Sequence, residues 1–128
     1  MSIVVAYSAD TAGEAALAFA AQEARLRGER LIVVNATRGD ALVDPRYAAA
    51  GQLQGMEEVL AGVEHEIRQP MGPDVADLVL AEVDSSGAEL LVVGLRRRTP
   101  VGKLIMGSVS QRLLLDSPVP VFAVHPAS

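Results

Sequence analysis

The sequence predicts an α/β fold, a single domain spanning residues 1–128 that holds an open five-stranded parallel sheet with helices on both faces. Two observations predict it. Short apolar runs alternate with helical patterns along the chain, and the inner runs are apolar at every position. Uninterrupted apolar runs are typical of strands buried on both faces, and strands that alternate with helices pair in parallel through right-handed crossovers. The 128 residues, half of them apolar, are enough for one sizeable core.

The chain opens with a β-α-β pattern. Ile3–Tyr7 and Leu31–Val34 are short apolar runs, and a helical stretch lies between them. Thr11 followed by Glu14 has the spacing of a capping box at the start of this helix, and Gly28 follows its end. The helix should bury an apolar stripe made of Leu17, Ala20, Ala21 and Ala24.

The next segment, residues 38–62, predicts one helix before the third strand. Asp44-Pro45 is typical of an N-cap and first turn, although three later glycines lower the helix propensity. Val63–Ile67 then alternates apolar and polar residues, which favours a strand with one exposed face. We therefore expect the third strand at an edge of the sheet.

The rest of the chain predicts two more helices and two more strands. The elements are, in order, a helix after Pro73-Asp74 that ends at Gly87, a strand over Leu90–Val93, a helix from about Gly107 to Asp116 and a strand over Val119–His125. The first of these helices has an apolar side made of Val75, Leu78, Val79 and Val83. Because Pro120 has no N–H to donate, the final strand should lie at the opposite edge of the sheet.

These two edge assignments fit the strand order 3-2-1-4-5. In that order the winding direction reverses between the first and fourth strands, which opens a crevice at their carboxyl ends. The loops after Tyr7 and after Val93 should therefore face each other. Open α/β sheets bind their ligands at such a crevice, so we expect the functional site there.

Composition excludes several classes of function. The chain has no cysteine and two histidines, which rules out a disulfide framework and a Cys nucleophile and disfavours a zinc site. A net charge of −5 disfavours nucleic-acid binding. No apolar run approaches the roughly 20 residues that span a bilayer, and Met1 leads almost directly into a strand rather than a targeting leader. We expect a cytoplasmic protein that does not bind membranes.

The segment from Gly94 to Ser110 carries the strongest functional signal. It joins a buried strand to a helix and contains glycines, a run of three arginines over Arg96–Arg98, and Gly107-Ser108 at the helix start. Glycines allow close approach of backbone, and a helix N-terminus with serine hydroxyls suits an anion such as phosphate. Two alternatives stay open: a serine that only caps the helix, and arginines that form a solvated surface or contact an acidic partner.

Known catalytic motifs are absent from the sequence. Gly102-Lys103 is not followed by Ser or Thr, so the loop is not a Walker P-loop, and the glycine spacing of a dinucleotide fold is also missing. His65 and His125 are expected to be structural or solvent residues. Ser8 and Asp10 follow the first strand, where Asp10 is interpreted as a turn or cap residue. We predict no catalytic residue and no metal site.

These residues, together with the five-strand pattern, resemble the universal stress protein family over nearly the whole chain. ATP-binding members carry a Gly, two residues, a second Gly, nine residues, then Gly-Ser or Gly-Thr. Here Arg97 replaces the second glycine between Gly94 and Gly107, and Ser8 stands where the family usually ends its first strand in Asp. The resemblance implies an adenine nucleotide alpha hydrolase-like fold and a homodimer formed through the last strand. It also implies a ligand site made of Ala6, Tyr7, Ser8, Ala36, Gly94, Leu95, Arg97, Gly107, Ser108, Val109 and Ser110.

The primary hypothesis is a small cytoplasmic protein that binds ATP or AMP and acts as a sensor or regulator, with Mg²⁺ accompanying ATP alone. Arg97 would supply charge, while the backbone at Ala6 and Ala36 would meet the adenine. The alternative is a module of the same fold that binds no nucleotide and docks an acidic partner through Arg96–Arg98. Weak nucleotide hydrolysis is the least supported hypothesis, because a carboxylate is missing near the phosphates.

Overall fold

The computed structural model describes residues 1–38, 48–98, 103–105 and 107–126. The strands are β1 (Ser2–Ala6), β2 (Arg30–Val34), β3 (His65–Arg68), β4 (Ala88–Gly94), β5 (Arg96–Arg98), β6 (Lys103–Ile105) and β7 (Val121–Val124). Five of them form one parallel sheet in the order β3-β2-β1-β4-β7, and β5 and β6 form a separate antiparallel pair. The predicted order 3-2-1-4-5 and both edge positions are confirmed.

Helices cover both faces of this sheet. They are α1 (Thr11–Arg27), α2 (Ala50–Val59), α3 (Val75–Ser86) and α4 (Ser108–Asp116). On one face α1 and α2 bury Leu17 and Met56 against strand residues such as Val5, and on the other α3 and α4 bury Val79 and Leu113. Alternate residues of β1 enter the two clusters, which explains why this strand is apolar at every position.

The apolar stripe predicted for α1 is confirmed, but its capping residue is not. Leu17, Ala20, Ala21 and Ala24 are all buried, and Gly28 ends the helix in the left-handed conformation with φ 64°. The N-cap is Asp10, whose carboxylate accepts a hydrogen bond from the backbone N–H of Gly13. Thr11 is the first helical residue rather than the cap, because the extended backbone that a cap requires occurs one residue earlier.

Several element boundaries differ from the sequence prediction by one to three residues. The third strand begins at His65 rather than Val63, and the last covers Val121–Val124 rather than 119–125. Pro120 precedes that last strand, and its carbonyl oxygen accepts a hydrogen bond from the N–H of Leu91. The described part of the second helix begins at Ala50, and the predicted start at residues 44–45 lies outside the described residues.

The antiparallel pair β5–β6 was not predicted. Arg96 pairs with Ile105 and Arg98 with Lys103, so the chain leaving β4 doubles back before it enters α4. A run of arginines flanked by glycine and proline carries no apolar alternation, which is why the sequence indicated only a loop. Within the described ranges, no helix is both long and apolar enough to cross a membrane.

Candidate functional site

A cleft of about 140 Å³ lies where the carboxyl ends of β1 and β4 diverge. This is the position at which the winding direction of the sheet reverses, as the strand order predicts. The cleft is lined by Ala6, Tyr7, Ser8, Ala12, Val34, Ala36, Val75, Val79, Gly94, Arg96, Gly107, Ser108, Val109, Ser110 and Leu113. The loop after β1 therefore faces the start of α4 across an open space.

The structure brings together all the predicted site residues except Leu95 and Arg97. The N–H of Leu95 donates to the carbonyl oxygen of Val124 at 2.7 Å, so this residue extends the sheet beside the cleft. The backbone of Arg97 belongs to β5, and its side chain lies outside the described residues. Its neighbour Arg96 lines the cleft.

The start of α1 forms one wall of the cleft and is closed by its own side chains. Asp10 Oδ1 accepts hydrogen bonds from the Gly13 N–H at 2.8 Å and from Ser8 Oγ at 2.9 Å. A Cβ on Gly13 would lie 1.7 Å from the carbonyl oxygen of Ser8. The turn after β1 is therefore pressed against the helix that follows it, and only glycine fits at position 13.

Gly94 has a packing role that the sequence analysis did not predict. A Cβ there would lie 2.4 Å from the carbonyl oxygen of Ala12, at the start of α1. Gly94 also lines the cleft, so its predicted role in the close approach of a ligand stays a prediction beside this packing contact. Gly94 lets the end of β4 sit against α1, and this contact fixes the width of the cleft.

The start of α4 forms the opposite wall and is open. Gly107 is the N-cap residue, and within the described part of the chain no side chain caps the helix and no atom lies within 4 Å of a Cβ built on this glycine. The first turn of a helix has N–H groups without intrahelical acceptors, and the helix dipole makes that end positive. Because Gly107 occupies the N-cap position, the alternative of a serine cap does not describe this helix.

Two serines lie in the first turn of α4 and differ in their surroundings. Ser108 is exposed at the cleft, whereas Ser110 is half-buried and donates its hydroxyl proton to the carbonyl oxygen of Gly94 at 3.2 Å. Ser110 therefore joins α4 to the end of β4. Ser108 is the one of the two whose hydroxyl is placed to meet a ligand.

The floor of the cleft is apolar. Val34 and Ala36 come from the end of β2 and the residues after it, Val75 and Val79 come from α3, and Leu113 comes from α4. Ala36 was among the predicted site residues, whereas the other four were predicted as core or were not singled out, because their approach to one cleft depends on how α3 and α4 pack. An apolar floor beside an N–H-rich helix end suits a planar base joined to an anionic group.

Arg112 fixes the position of α4 relative to α3. Its guanidinium donates to the carboxylates of Asp74 at 2.5 Å and Asp116 at 3.3 Å, and also to that of Asp77. Asp74 is the N-cap of α3, and the hydrogen bond from the Asp77 N–H, followed by that from Arg112, lowers the pKa of the Asp74 carboxyl. The neighbouring helix is thus capped by its own carboxylate.

Tyr7 and Asn35 hold the loops behind the cleft. The Tyr7 hydroxyl donates to Glu14, and burial together with this bond raises the pKa of the phenol well above its usual value. Asn35, fully buried, donates to the carbonyl oxygen of Tyr7 at 3.1 Å and accepts from the N–H of Ala48 at 2.8 Å and from Gln69 at 3.0 Å. Two backbone groups and one side chain, from three other connections, therefore meet at one amide.

No catalytic constellation is visible in the described residues. In those ranges no group of three or more His, Cys, Asp or Glu side chains is placed to hold a metal ion. The His65 ring lies 2.8 Å from the carbonyl oxygen of Val63 and the His125 ring 3.2 Å from that of Pro126, and neither residue lines the cleft.

Comparison with known proteins gives consistent matches over the whole chain. A sequence profile of the Universal stress protein family matches residues 1–125. The chain is 53% identical over 126 residues to a universal stress protein of Mycolicibacterium smegmatis, and the match covers 97% of each protein.

Two solved structures extend the comparison to three dimensions. A universal stress protein in complex with cAMP is 25% identical, with a TM-score of 0.74 over 99% of this chain and 98% of that one. A universal stress protein of Archaeoglobus fulgidus in complex with dAMP is 23% identical, with a TM-score of 0.67 over 96% and 95% of the two chains, and shares the fold.

Proposed function

The chain belongs to the universal stress protein family, and we propose that it binds an adenine nucleotide in its cleft and acts as a sensor or regulator. The single observation that carries the proposal is the open start of α4. The residues of its first turn line the cleft, and among the described residues no side chain caps the helix and no atom approaches the Cβ position of Gly107. A phosphate would accept hydrogen bonds from these groups and gain from the helix dipole.

The apolar floor supports an adenine base at the other end of the same ligand. Val34, Ala36 and Val75 offer flat apolar contact, and main-chain groups near Ala6 and Ala36 supply the polar edges that a purine needs. That arrangement tolerates Ser8 in place of the carboxylate expected there. Solved structures of the same fold are complexes with cAMP and with dAMP, which supports an adenine nucleotide as the ligand class.

ATP and AMP are the proposed ligands, and Mg²⁺ would reach the site only with the phosphates of ATP. A role in sensing rather than turnover is supported by the described side chains around the cleft, where Asp10 is engaged with Ser8 and Gly13 and no histidine lines the walls. Adenine nucleotides are abundant in the cytoplasm, which is the compartment in which we propose that the protein acts.

Isothermal titration calorimetry with ATP, AMP, cAMP and inorganic tripolyphosphate tests the proposal. Heat of binding with the three adenine nucleotides and a much weaker response to tripolyphosphate is expected, because the base contributes apolar contact. Absence of heat with every nucleotide at millimolar concentration overturns it. If an acidic protein is then retained by the native chain and lost when Arg96–Arg98 are replaced by alanine, the docking module is the better description.

We further propose that two copies pair through β7. This strand lies at the edge of the sheet, where it leaves one row of backbone groups without a neighbouring strand, and Phe122 packs on Phe19 with ring centroids 5.5 Å apart. Ala123 is exposed on the same strand, so Ala123→Lys should separate the copies without disturbing the core. Light scattering that gives a single-chain mass for the native protein at micromolar concentration overturns the pairing.

A further inference from the structure

Besides the start of α4, a charged side chain also lines the cleft. Arg96, the first residue of β5, lines the cleft, and its guanidinium nitrogen lies 3.7 Å from Asp10 Oδ2. The pair therefore spans the mouth of the cleft from the loop after β1 to the segment after β4. Neither the sequence motif nor the spacing of glycines indicated this contact.

The two partners are held very differently. Asp10 caps α1, and its Oδ1 atom accepts hydrogen bonds from the Gly13 N–H and Ser8 Oγ, so its carboxylate is fixed. Arg96 has a side chain 53% exposed against 36% for Asp10, and at 3.7 Å its contact with the carboxylate is longer than a hydrogen bond. An exposed ion pair of this length is weak, so Arg96 can exchange partners at little cost.

We propose that Asp10 and Arg96 determine how strongly the cleft prefers highly charged nucleotides, because the Asp10 carboxylate competes with the ligand phosphates for the Arg96 guanidinium. The proposal rests on the proposed nucleotide function and adds the specificity-determining pair. Arg96 lies on the same cleft as Ser108 and Gly107, so a phosphate bound at the start of α4 is within reach of its flexible side chain. Guanidinium groups pair with phosphate oxygens through two parallel hydrogen bonds. The Asp10 carboxylate, 3.7 Å from the Arg96 guanidinium, does not form such a pair with it.

The preference follows from charge. Attraction between Arg96 and the ligand grows with the number of phosphate charges, whereas the attraction to Asp10 is the same for every ligand. Neutralising Asp10 therefore strengthens binding of ATP more than that of AMP. For the same reason, removing Arg96 weakens the binding of ATP more than the binding of AMP.

Asp10→Asn is the informative substitution because asparagine caps helices as well as aspartate does. Its amide oxygen retains the acceptor for Gly13 and Ser8, and only the charge is lost. Titrations in EDTA, which leave ATP with its full charge, should show about fivefold tighter binding of ATP and about twofold tighter binding of AMP. The matched control is Asp84→Asn, which removes the same charge near the end of α3, beside the start of β4 rather than its carboxyl end, and should leave both affinities unchanged.

Arg96→Gln and the double variant Asp10→Asn/Arg96→Gln complete the cycle. Arg96→Gln should weaken ATP binding about fivefold, and in its background Asp10→Asn should change the affinity less than about twofold, because the competition it relieves is gone. Arg27→Gln removes another exposed arginine, 41% exposed, at the far end of α1 and is the control. Thermal unfolding of each variant confirms that the fold is retained, and Asp10→Ser, another neutral cap, replaces Asp10→Asn if that variant unfolds.

Two results overturn the inference while nucleotide binding stands. One is an unchanged affinity in Asp10→Asn, and the other is an equal gain from Asp10→Asn with and without Arg96, which would assign the effect to direct repulsion of the ligand. Failure of the native protein to bind any adenine nucleotide removes both the inference and the function on which it rests.

Discussion

Two helices begin at the same end of the sheet, on opposite sides of the cleft, and they begin in opposite ways. The start of α1 is capped by the Asp10 carboxylate, which accepts a hydrogen bond from the Gly13 N–H. A Cβ on Gly13 would lie 1.7 Å from the carbonyl oxygen of Ser8. The start of α4 has Gly107 as its N-cap, no capping side chain and open space in front of it. Both starts carry the same partial positive charge.

The difference shows that a helix end is available to a ligand only where the chain has not already supplied an acceptor. The start of α3 is also capped, because the Asp74 carboxylate accepts a hydrogen bond from the Asp77 N–H. The sequence contains helix starts of both kinds, and what separates them is a carboxylate at the N-cap position of α1 and α3 and a glycine at that of α4. Of these two walls, only the one formed by α4 therefore begins with a helix that none of the described side chains caps.

Among substitutions at the closed start of α1, Gly13→Ala should reduce the stability most. The new Cβ would collide with the backbone of Ser8, so α1 or the preceding turn must shift, and the free energy of unfolding should fall by about 3 kcal/mol. Urea denaturation measures the loss. Gly51→Ala, in α2, meets nothing within 4 Å and should instead stabilise the protein by about 0.5–1 kcal/mol. Equal stability of the two variants would contradict the close packing at Gly13.

Gly107→Asp makes the open start resemble the closed one. A carboxylate at the N-cap would accept from the first-turn N–H groups and repel a phosphate, so nucleotide affinity should fall at least about tenfold while the stability holds or rises. Gly107→Asn competes for the same N–H groups without the charge and should lose less affinity. Calorimetry separates the two variants, and unchanged affinity in Gly107→Asp would place the ligand elsewhere.

Asp10→Ala removes the N-cap of α1 and adds no larger side chain beside the cleft. Loss of the cap should reduce the free energy of unfolding by about 1 kcal/mol, and Asp10→Asn should retain most of it. Chemical denaturation of the three proteins in parallel is sufficient. A loss of equal size in Asp10→Asn would mean that the charge, rather than the hydrogen bond to Gly13, stabilises α1.

At high pH, Tyr7 tests the closed side of the cleft, because its hydroxyl donates a hydrogen bond to Glu14 of α1. The pKa of Tyr7 is raised in the folded state, so the unfolded chain loses the phenolic proton first and stability falls as the pH rises above about 10. Between pH 9 and pH 10.3 the loss from this group should be about 0.6 kcal/mol. Tyr7→Phe should lack that part of the pH dependence in urea denaturation, and an identical dependence in both proteins would contradict the shift.

Much of the fold could be predicted because its determinants are local. The continuous apolar run over Leu90–Val93, the alternation before Ile67 and the position of Pro120 together determined the strand order. Gly28 and Gly87 marked the ends of α1 and α3, where both adopt the left-handed conformation. Periodicity and backbone chemistry report on neighbours along the chain, and these features depend on little else.

The site could be predicted in position but not in its details, because those depend on contacts between distant residues. Gly94 touches Ala12, far away in the sequence, and no spacing rule reveals that approach. Arg96 lines the cleft because the chain turns into β5 directly after β4, and the sequence did not single out this arginine for the site. Asp10 was interpreted as a turn or cap residue, yet its contact with Arg96 depends on how two loops meet in space.

Asn35 has a consequence for how the cleft is kept in shape. Its amide joins the chain after β1, the chain before α2 and the chain after β3, so the relative placement of these three connections depends on one buried group. An apolar replacement of equal size would leave several polar atoms in the interior without partners, and an aspartate would add an uncompensated charge. The mouth of the cleft is therefore sensitive to a substitution at a residue that no ligand would ever touch.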